Sequence, residues 1–158
     1  MLLSKLVKTT DKNYRNIPIK GISFDSRKVK KQNIFFAITG NKTSGKKFIN
    51  DAINKGASVI VSDKKIKKKI LKTPFILVKD VRESLAEASS KFYKKKPYNI
   101  TAVTGTNGKS SVAHFFYQIL TLNKISAASI GTLGIFSKKY SRKTNLTSMD
   151  PLSLHKNL

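Results

Sequence analysis

The sequence predicts an α/β protein, with a small N-terminal α/β domain followed by the first part of a second domain built on a parallel sheet. Short apolar runs typical of strands alternate with helix-like segments along the 158 residues, which is the order of a parallel α/β sheet. The run Lys94-Lys95-Lys96-Pro97 interrupts this pattern and predicts a boundary between residues 1–96 and residues 97–158. Soon after it, the glycine-rich segment from Gly105 to Ser111 is typical of a phosphate-binding loop.

In the first region, strands and helices are expected to alternate. The expected strands are short segments at residues 20–24, 33–38, 57–61 and 75–78. The expected helices repeat apolar residues every three or four positions, at residues 45–56, 63–72 and from 81 to about 95. Gly56 is placed to end the first helix. Asp80 can cap the last helix, with Glu83 three residues later as in a capping box.

The second region begins with an expected strand at residues 99–103, the glycine loop and an expected helix at residues 109–122. A strand at residues 125–130, a hairpin at residues 135–143 and the start of a helix at residues 152–158 are expected to follow. One strand–helix–strand unit cannot cover both faces of a parallel sheet. We therefore expect this region to be the beginning of a longer domain.

The glycine loop is the segment that points most directly to a ligand. In a loop of this kind, backbone N–H groups and a helix N-terminus face the anion, Lys109 reaches the β- and γ-phosphates, and the Ser110 hydroxyl meets Mg²⁺. The common pattern G-x-x-x-x-G-K-[ST] would place a glycine where this chain has Val103; its glycines are Gly105 and Gly108. A surface turn could carry the same letters, but an expected strand before the loop and a helix after it favour phosphate binding.

The composition argues against several classes of protein. The formal charge of +24 suggests nucleic-acid binding, but only four of the 32 basic residues are arginine, the residue that reads base edges. The lysines are also scattered at the ends of apolar segments, so we interpret them as solvated surface. Cysteine is absent, and no apolar run resembles a signal peptide or a membrane span. We expect a soluble cytoplasmic protein with no nucleic-acid or membrane partner.

Other candidate residues have ordinary structural explanations. The segment Asp25-Ser26-Arg27 follows a strand, and local chemistry alone favours a turn in which Asp25 bonds its own backbone. Asp150 and Pro151 can start a helix as N-cap and first residue. His114 and His155 are single histidines on expected helices, and we interpret both as structural rather than metal-binding.

Taken together, these segments resemble the Mur ligases over nearly all 158 positions. The resemblance is carried by the order and spacing of five segments: 24–29, 33–38, 102–110, 130–134 and 146–152. Within the family, the sequence is most similar to the members that add the third amino acid to the peptidoglycan precursor. The shortened spacing of the glycine loop is also the one this family uses.

The resemblance implies a site for each of two substrates. The residues implied to bind ATP are Gly105, Thr106, Asn107, Gly108, Lys109, Ser110 and Ser111, with Mg²⁺ at Ser110. The residues implied to bind the UDP-linked substrate are Phe24, Ser26, Asn41, Lys42, Thr43, Thr147 and Ser148. The catalytic residues and the amino-acid pocket would lie beyond residue 158, so the fragment alone is expected to be inactive.

The resemblance also implies the reaction. ATP would phosphorylate the terminal carboxylate of UDP-MurNAc-dipeptide, and the amino group of the incoming amino acid would attack the acyl phosphate. The sequence leaves open whether that amino acid is diaminopimelate or lysine, and it leaves the oligomeric state unknown. Two other functions stay open at this stage: a nucleotide-sugar-binding module without catalysis, and a lysine-rich nucleic-acid-binding protein.

Overall fold

The computed structural model describes residues 1–8, 11–38, 48–65, 73–143 and 149–158. The chain divides into two compact units. The first comprises Met1–Lys96 together with Pro151–Leu158, and the second comprises Pro97–Asp150. Residues 151–158, which the sequence analysis grouped with the second region, thus pack with the first unit.

The first unit is built on a parallel sheet of four strands in the order β1-β2-β3-β4. The sheet confirms the α/β fold class and all four strands expected in this region. The strands are β1 (Gly21–Ser23), β2 (Asn33–Phe36), β3 (Ala57–Ser62) and β4 (Phe75–Leu77).

Both faces of this sheet are buried, as expected for parallel strands. Successive side chains of a strand point to opposite faces. Accordingly, Ile34 and Phe36 lie in one apolar cluster, and Phe35 and Ala37 lie in the other. All four are at most 1% exposed, so the core of the unit lies on both sides of β2.

The helices of the first unit flank the sheet. They are α1 (Ile49–Asn54), α2 (Val81–Phe92) and α4 (Pro151–Asn157), with 3₁₀ turns at Leu3–Lys5, Lys12–Tyr14 and Ser26–Lys28. Asp80 caps α2 as predicted, since its carboxylate accepts the N–H groups of Arg82 and Glu83 at 2.7 and 3.1 Å. Helix α2 ends at Phe92, three residues earlier than expected. The helix expected at residues 63–72 falls mostly outside the described residues.

The second unit contains α3 (Lys109–Leu122) and a three-stranded antiparallel sheet. Its strands are β5 (Ala128–Gly131), β6 (Gly134–Ser137) and β7 (Tyr140–Arg142). The predicted bounds of α3 and the predicted hairpin are confirmed. The His114 ring packs edge-on against Phe136, with the ring centroids 5.5 Å apart.

The strand expected at residues 99–103 is wrong. These residues have no regular secondary structure and are exposed, including Ile100 at 60% and Val103 at 38%. A strand needs a neighbour to take its hydrogen bonds. Within the described part of this unit, β5 pairs with β6 instead. The apolar run therefore lacks the partner that its composition suggests.

Candidate functional site

The glycine loop leads directly into α3. Gly108 is the N-cap residue, and its φ of +75° and ψ of −8° are left-handed. Gly105 also has a positive φ, of +143°. Glycine adopts such angles readily because it has no Cβ. The first helical bond runs from the Val112 N–H to the Gly108 carbonyl, at 2.9 Å.

The N-terminus of α3 is open to a ligand. No side chain caps it, so the first backbone N–H groups of the helix keep their capacity to bind an acceptor. Together with the helix dipole, these groups favour an anion at this end. The fourteen-residue helix is long enough for its N-terminus to be well formed.

Lys109 folds back over the loop. Its ammonium group donates hydrogen bonds to the carbonyl oxygens of Gly105 and Thr106, the latter at 3.0 Å. The lysine charge is therefore held above the backbone groups that would receive a phosphate. That Lys109 reaches the β- and γ-phosphates of a bound nucleotide stays a prediction of the sequence pattern.

A shallow pocket of about 270 Å³ lies over this loop. It is lined by six of the predicted residues and one more: Thr106, Asn107, Gly108, Lys109, Ser110, Ser111 and Thr132. The sequence analysis gave Thr132 no role. Its signal was present, since it is a hydroxyl residue in the turn Gly131-Thr132-Leu133-Gly134, directly after the strand that follows α3.

The lining residues suit Mg²⁺ only as part of a Mg²⁺–nucleotide complex. The hydroxyl of Ser110 is a hard oxygen donor of the kind Mg²⁺ accepts. No aspartate or glutamate lines the pocket. Among the described residues there is also no group of three potential metal ligands drawn from His, Cys, Asp and Glu. The remaining ligands would have to be phosphate oxygens and water.

The second candidate site is a turn at the carboxyl end of β1, which we call the Ser26 turn (residues 24–28). Ligands commonly bind at this edge of a parallel sheet. Asp25 caps the 3₁₀ turn by accepting the Arg27 N–H at 3.0 Å. The same carboxylate accepts the Arg27 guanidinium at 3.0 and 2.9 Å. The structural explanation offered for Asp25 is therefore confirmed.

Electrostatics at this turn favour the charged forms of both residues. The side-chain hydrogen bond from Arg27 is the main reason that the pKa of the Asp25 carboxyl lies below its usual value. The same bond raises the pKa of Arg27. The Arg27 side chain is 83% exposed, so solvent screens the ion pair and the pair adds little to stability.

The side chains of Ser26 and Phe24 are largely shielded from solvent. Ser26 is 6% exposed, and Phe24 packs against the apolar cluster that contains Ile34. A ligand at this turn would therefore meet little of the Ser26 and Phe24 side chains, whereas Arg27 and Lys28 are exposed beside them. The remaining residues expected to bind the UDP-linked substrate lie outside the described residues: Asn41, Lys42, Thr43, Thr147 and Ser148.

No helix in the described ranges is long and apolar enough to span a membrane.

Two family profiles match the chain, one in each region. The profile of the Mur ligase family catalytic domain matches residues 18–93. The profile of the Mur ligase middle domain matches residues 103–158. The two matches have the order that the sequence analysis expected.

Several curated relatives of this chain share one name, UDP-N-acetylmuramoyl-L-alanyl-D-glutamate--2,6-diaminopimelate ligase. The protein of this name from Rickettsia montanensis is 46% identical over 142 residues, which are 87% of this chain and 29% of that protein. The protein from Bradyrhizobium diazoefficiens is 42% identical over 142 residues, which are 90% of this chain and 29% of that protein. The chain thus spans less than a third of the length of these relatives.

Solved structures of ligases also match the chain. A structure of UDP-N-acetylmuramoyl-L-alanyl-D-glutamate--2,6-diaminopimelate ligase matches with a TM-score of 0.81 and 26% identity, covering 99% of this chain and 32% of that one. MurF ligase from Thermotoga maritima, solved in complex with ADP, matches with a TM-score of 0.52 and 26% identity, covering 66% of this chain and 24% of that one. From its sequence, its fold and these matches, the chain belongs to the Mur ligase family.

Proposed function

We propose that this chain supplies the UDP-substrate domain and the start of the ATP-binding domain of a ligase that adds the third amino acid to UDP-MurNAc-dipeptide. Residues 1–96 would form the first domain, and residues 97–158 the start of the second. The observation that carries the proposal is the glycine loop, with Lys109 over an uncapped helix N-terminus. The names of the curated relatives support the choice of reaction.

In this proposal the glycine loop binds the phosphates of ATP. The backbone N–H groups at the start of α3 contact phosphate oxygens, and Gly105 and Gly108 allow the close approach. Lys109 exchanges its carbonyl partners for the β- and γ-phosphates. Asn107, Thr106, Ser111 and Thr132 complete the wall of the pocket.

Ser110 would hold the Mg²⁺ that accompanies ATP. Mg²⁺ neutralises charge on the transferring phosphoryl group when it is bound. This chain's own residues would fix the position of the triphosphate and add positive charge beside it.

The Ser26 turn would contact the UDP part of the other substrate. Ser26 and Phe24 belong to this turn, and we propose that the segment Asn41-Lys42-Thr43 joins them. Thr147 and Ser148 would contact the same substrate from the second region. In the reaction, the terminal carboxylate of the substrate attacks the γ-phosphorus of ATP and ADP leaves. The amine of the third amino acid then attacks the acyl phosphate, and phosphate leaves as the amide forms.

The relatives' names favour 2,6-diaminopimelate over lysine as that amino acid. The use of ATP and of a nucleotide-linked precursor fits the cytoplasm. The proposal involves no nucleic-acid or membrane partner.

Separate titrations test this proposal on the 158-residue chain. We expect calorimetry to detect UDP-MurNAc-dipeptide and Mg²⁺–ATP as two independent ligands. Lys109→Ala should weaken ATP binding at least about tenfold, since it removes a charge-assisted contact to phosphate, and leave the dipeptide affinity unchanged. Lys138→Ala is the matched control, because Lys138 is an exposed lysine of the same unit that lies outside the pocket.

Two results would count against the proposal. Equal losses in the Lys109 and Lys138 variants would mean that ATP binds only through the net charge. Binding of the UDP-dipeptide with no ATP binding would favour a nucleotide-sugar-binding module instead.

A further inference from the structure

The Ser26 turn is anchored to the sheet by the buried hydroxyl of Ser23, the last residue of β1. Ser23 is 3% exposed. Its Oγ donates to the Asp25 carbonyl at 2.8 Å and accepts the Asp25 N–H at 3.3 Å. Both backbone groups of Asp25 are therefore fixed to the end of a strand that lies in the core.

A second anchor comes from α1, 29 residues away in sequence. Lys55 follows the last residue of α1, and its Nζ donates to the Ser26 carbonyl at 3.3 Å. Asp51, one helical turn earlier, holds the same ammonium group at 3.5 Å. The Ser26 carbonyl also accepts the Val29 N–H at 3.4 Å. Lys55 thus ties the backbone of Ser26 to a helix on one face of the sheet.

Further hydrogen bonds of the turn lie within it. Asp25 bonds Arg27, and the Asp25 carbonyl also accepts the Lys28 N–H at 3.0 Å. Such local bonds set the shape of the turn, but they do not set its position relative to the sheet. Ser23 and Lys55 do, because one is held in β1 and the other in α1.

We propose that Ser23 and Lys55 are positioning residues that hold the Ser26 backbone in the conformation that binds the UDP-linked substrate. This inference rests on the proposed function of the Ser26 turn. A turn that is fixed before the ligand arrives loses less conformational freedom on binding, so its anchors raise affinity without touching the ligand.

Lys55→Met removes the ammonium group and keeps a side chain of similar length. We expect it to weaken binding of UDP-MurNAc-dipeptide about fivefold, the effect of one hydrogen bond to a partly exposed charged group. Lys55→Arg should restore most of the affinity, because it keeps a charged donor. Lys91→Met is the matched control: Lys91 pairs with Glu87 at i,i+4 like Lys55 with Asp51, and its side chain is 44% exposed against 40%.

Ser23→Ala tests the other anchor, with Ser23→Thr as the variant that keeps the hydroxyl. Ser23→Ala should weaken dipeptide binding by more than Lys55→Met, because it leaves the Asp25 N–H without its buried partner, while the Asp25 carbonyl keeps only the Lys28 N–H. Thermal unfolding of each variant shows whether a loss of affinity exceeds any loss of folded protein.

Amide hydrogen exchange without ligand gives a readout that does not depend on the proposed function. Exchange at Val29 should be faster in Lys55→Met, and exchange at Asp25 faster in Ser23→Ala, whereas Lys91→Met should change neither. If the unaltered chain fails to bind the UDP-dipeptide, the proposed function fails, and exchange still decides whether the anchors hold the turn. If Lys55→Met matches Lys91→Met in both affinity and exchange, the positioning role is wrong.

Discussion

Gly108 offers a sharp test of how the phosphate loop is built. Its φ of +75° is left-handed, yet a Cβ added there would meet no atom within 4 Å. Gly108→Ala therefore introduces conformational strain without a steric clash. Left-handed backbone costs a non-glycine residue about 1–2 kcal/mol, which is a factor of roughly 5 to 30 in an equilibrium constant. Asparagine tolerates this region better, so Gly108→Asn should lie between glycine and alanine.

Gly131 provides the matched control for this substitution. A Cβ at Gly131 would also meet nothing within 4 Å, but its φ lies outside the left-handed region. Gly131→Ala should therefore leave nucleotide binding unchanged and be neutral or slightly stabilising, since alanine restricts the unfolded chain.

The assay is calorimetric titration of each variant with Mg²⁺–ATP, accompanied by hydrogen exchange of the first-turn amides of α3. If the substituted free loop relaxes to another conformation, ATP has to restore the left-handed one, and ATP affinity falls in the order Gly, Asn, Ala. If the free loop keeps the left-handed conformation, the strain destabilises the first turn of α3 instead, and its amides exchange faster. Equal behaviour of Gly108→Ala and Gly131→Ala in both measurements would refute the reasoning.

Three further predictions concern the first unit, with urea or thermal unfolding as the measurement. Asp80→Ala should lower the free energy of unfolding by about 1 kcal/mol, and Asp80→Asn by much less, because asparagine also caps helices; equal losses would contradict the role of the cap. Gly56→Ala should cost about 1–2 kcal/mol or more, since φ is +95° and the new Cβ would lie 3.0 Å from the Lys31 Cα; a neutral result would contradict this. Burial first, and the charge of Lys96 second, lower the pKa of His155 from its ordinary value of 6.5. The folded chain therefore binds this proton less readily than the unfolded chain, and stability should fall as the pH drops below 6.5. His155→Phe should flatten that dependence between pH 7.5 and 5, and an unchanged slope would contradict the assignment.

The first unit could be predicted from its sequence because each local signal agrees with the sheet. The strand expected at residues 33–38 contains a continuous apolar run at residues 34–38, and the structure buries both faces of β2. Gly56 ends a helix and Asp80 caps one, and both roles depend only on neighbouring residues. Their positions in the sequence were therefore enough to predict them. Agreement of this kind between local preference and tertiary packing makes such signals reliable.

The second unit shows where local signals are insufficient. Residues 99–103 have the composition of a buried strand, but a strand is defined by its partners, and none of the described residues pairs with them. Part of α3 is exposed in the same way: Phe115 and Ile119 are 61% and 57% exposed, although their spacing is typical of an apolar helix face. Among the described residues, no element buries residues 99–103 or the side chains of Phe115 and Ile119, although α3 contacts β5.

In the candidate sites, too, some features could be predicted from local sequence and others could not. A glycine loop that leads into the N-terminus of α3 could be predicted from the pattern of Gly105, Gly108 and Lys109, because turns and helix termini are local properties. Thr132 in the pocket wall and Lys55 beside the Ser26 carbonyl are contacts between segments far apart in sequence. The turn that carries Thr132 could be recognised in the sequence, but the contacts of Thr132 and Lys55 with these distant segments became visible only with the fold.

The position of Lys109 adds a consequence that the pattern alone does not contain. Its ammonium group bonds two loop carbonyls, so part of its hydrogen-bonding capacity is already used before any phosphate binds. These bonds hold the charge near the open N–H groups of α3 and reduce the side-chain freedom that would otherwise be lost on binding. They also have to weaken as a phosphate approaches, because an ammonium group has only three protons to donate. The free energy with which Lys109 helps to bind an anion is therefore the difference between its contacts to phosphate and the contacts that it gives up to the two carbonyl groups. The loop backbone, which Gly105 and Gly108 shape, sets the strength of the carbonyl contacts.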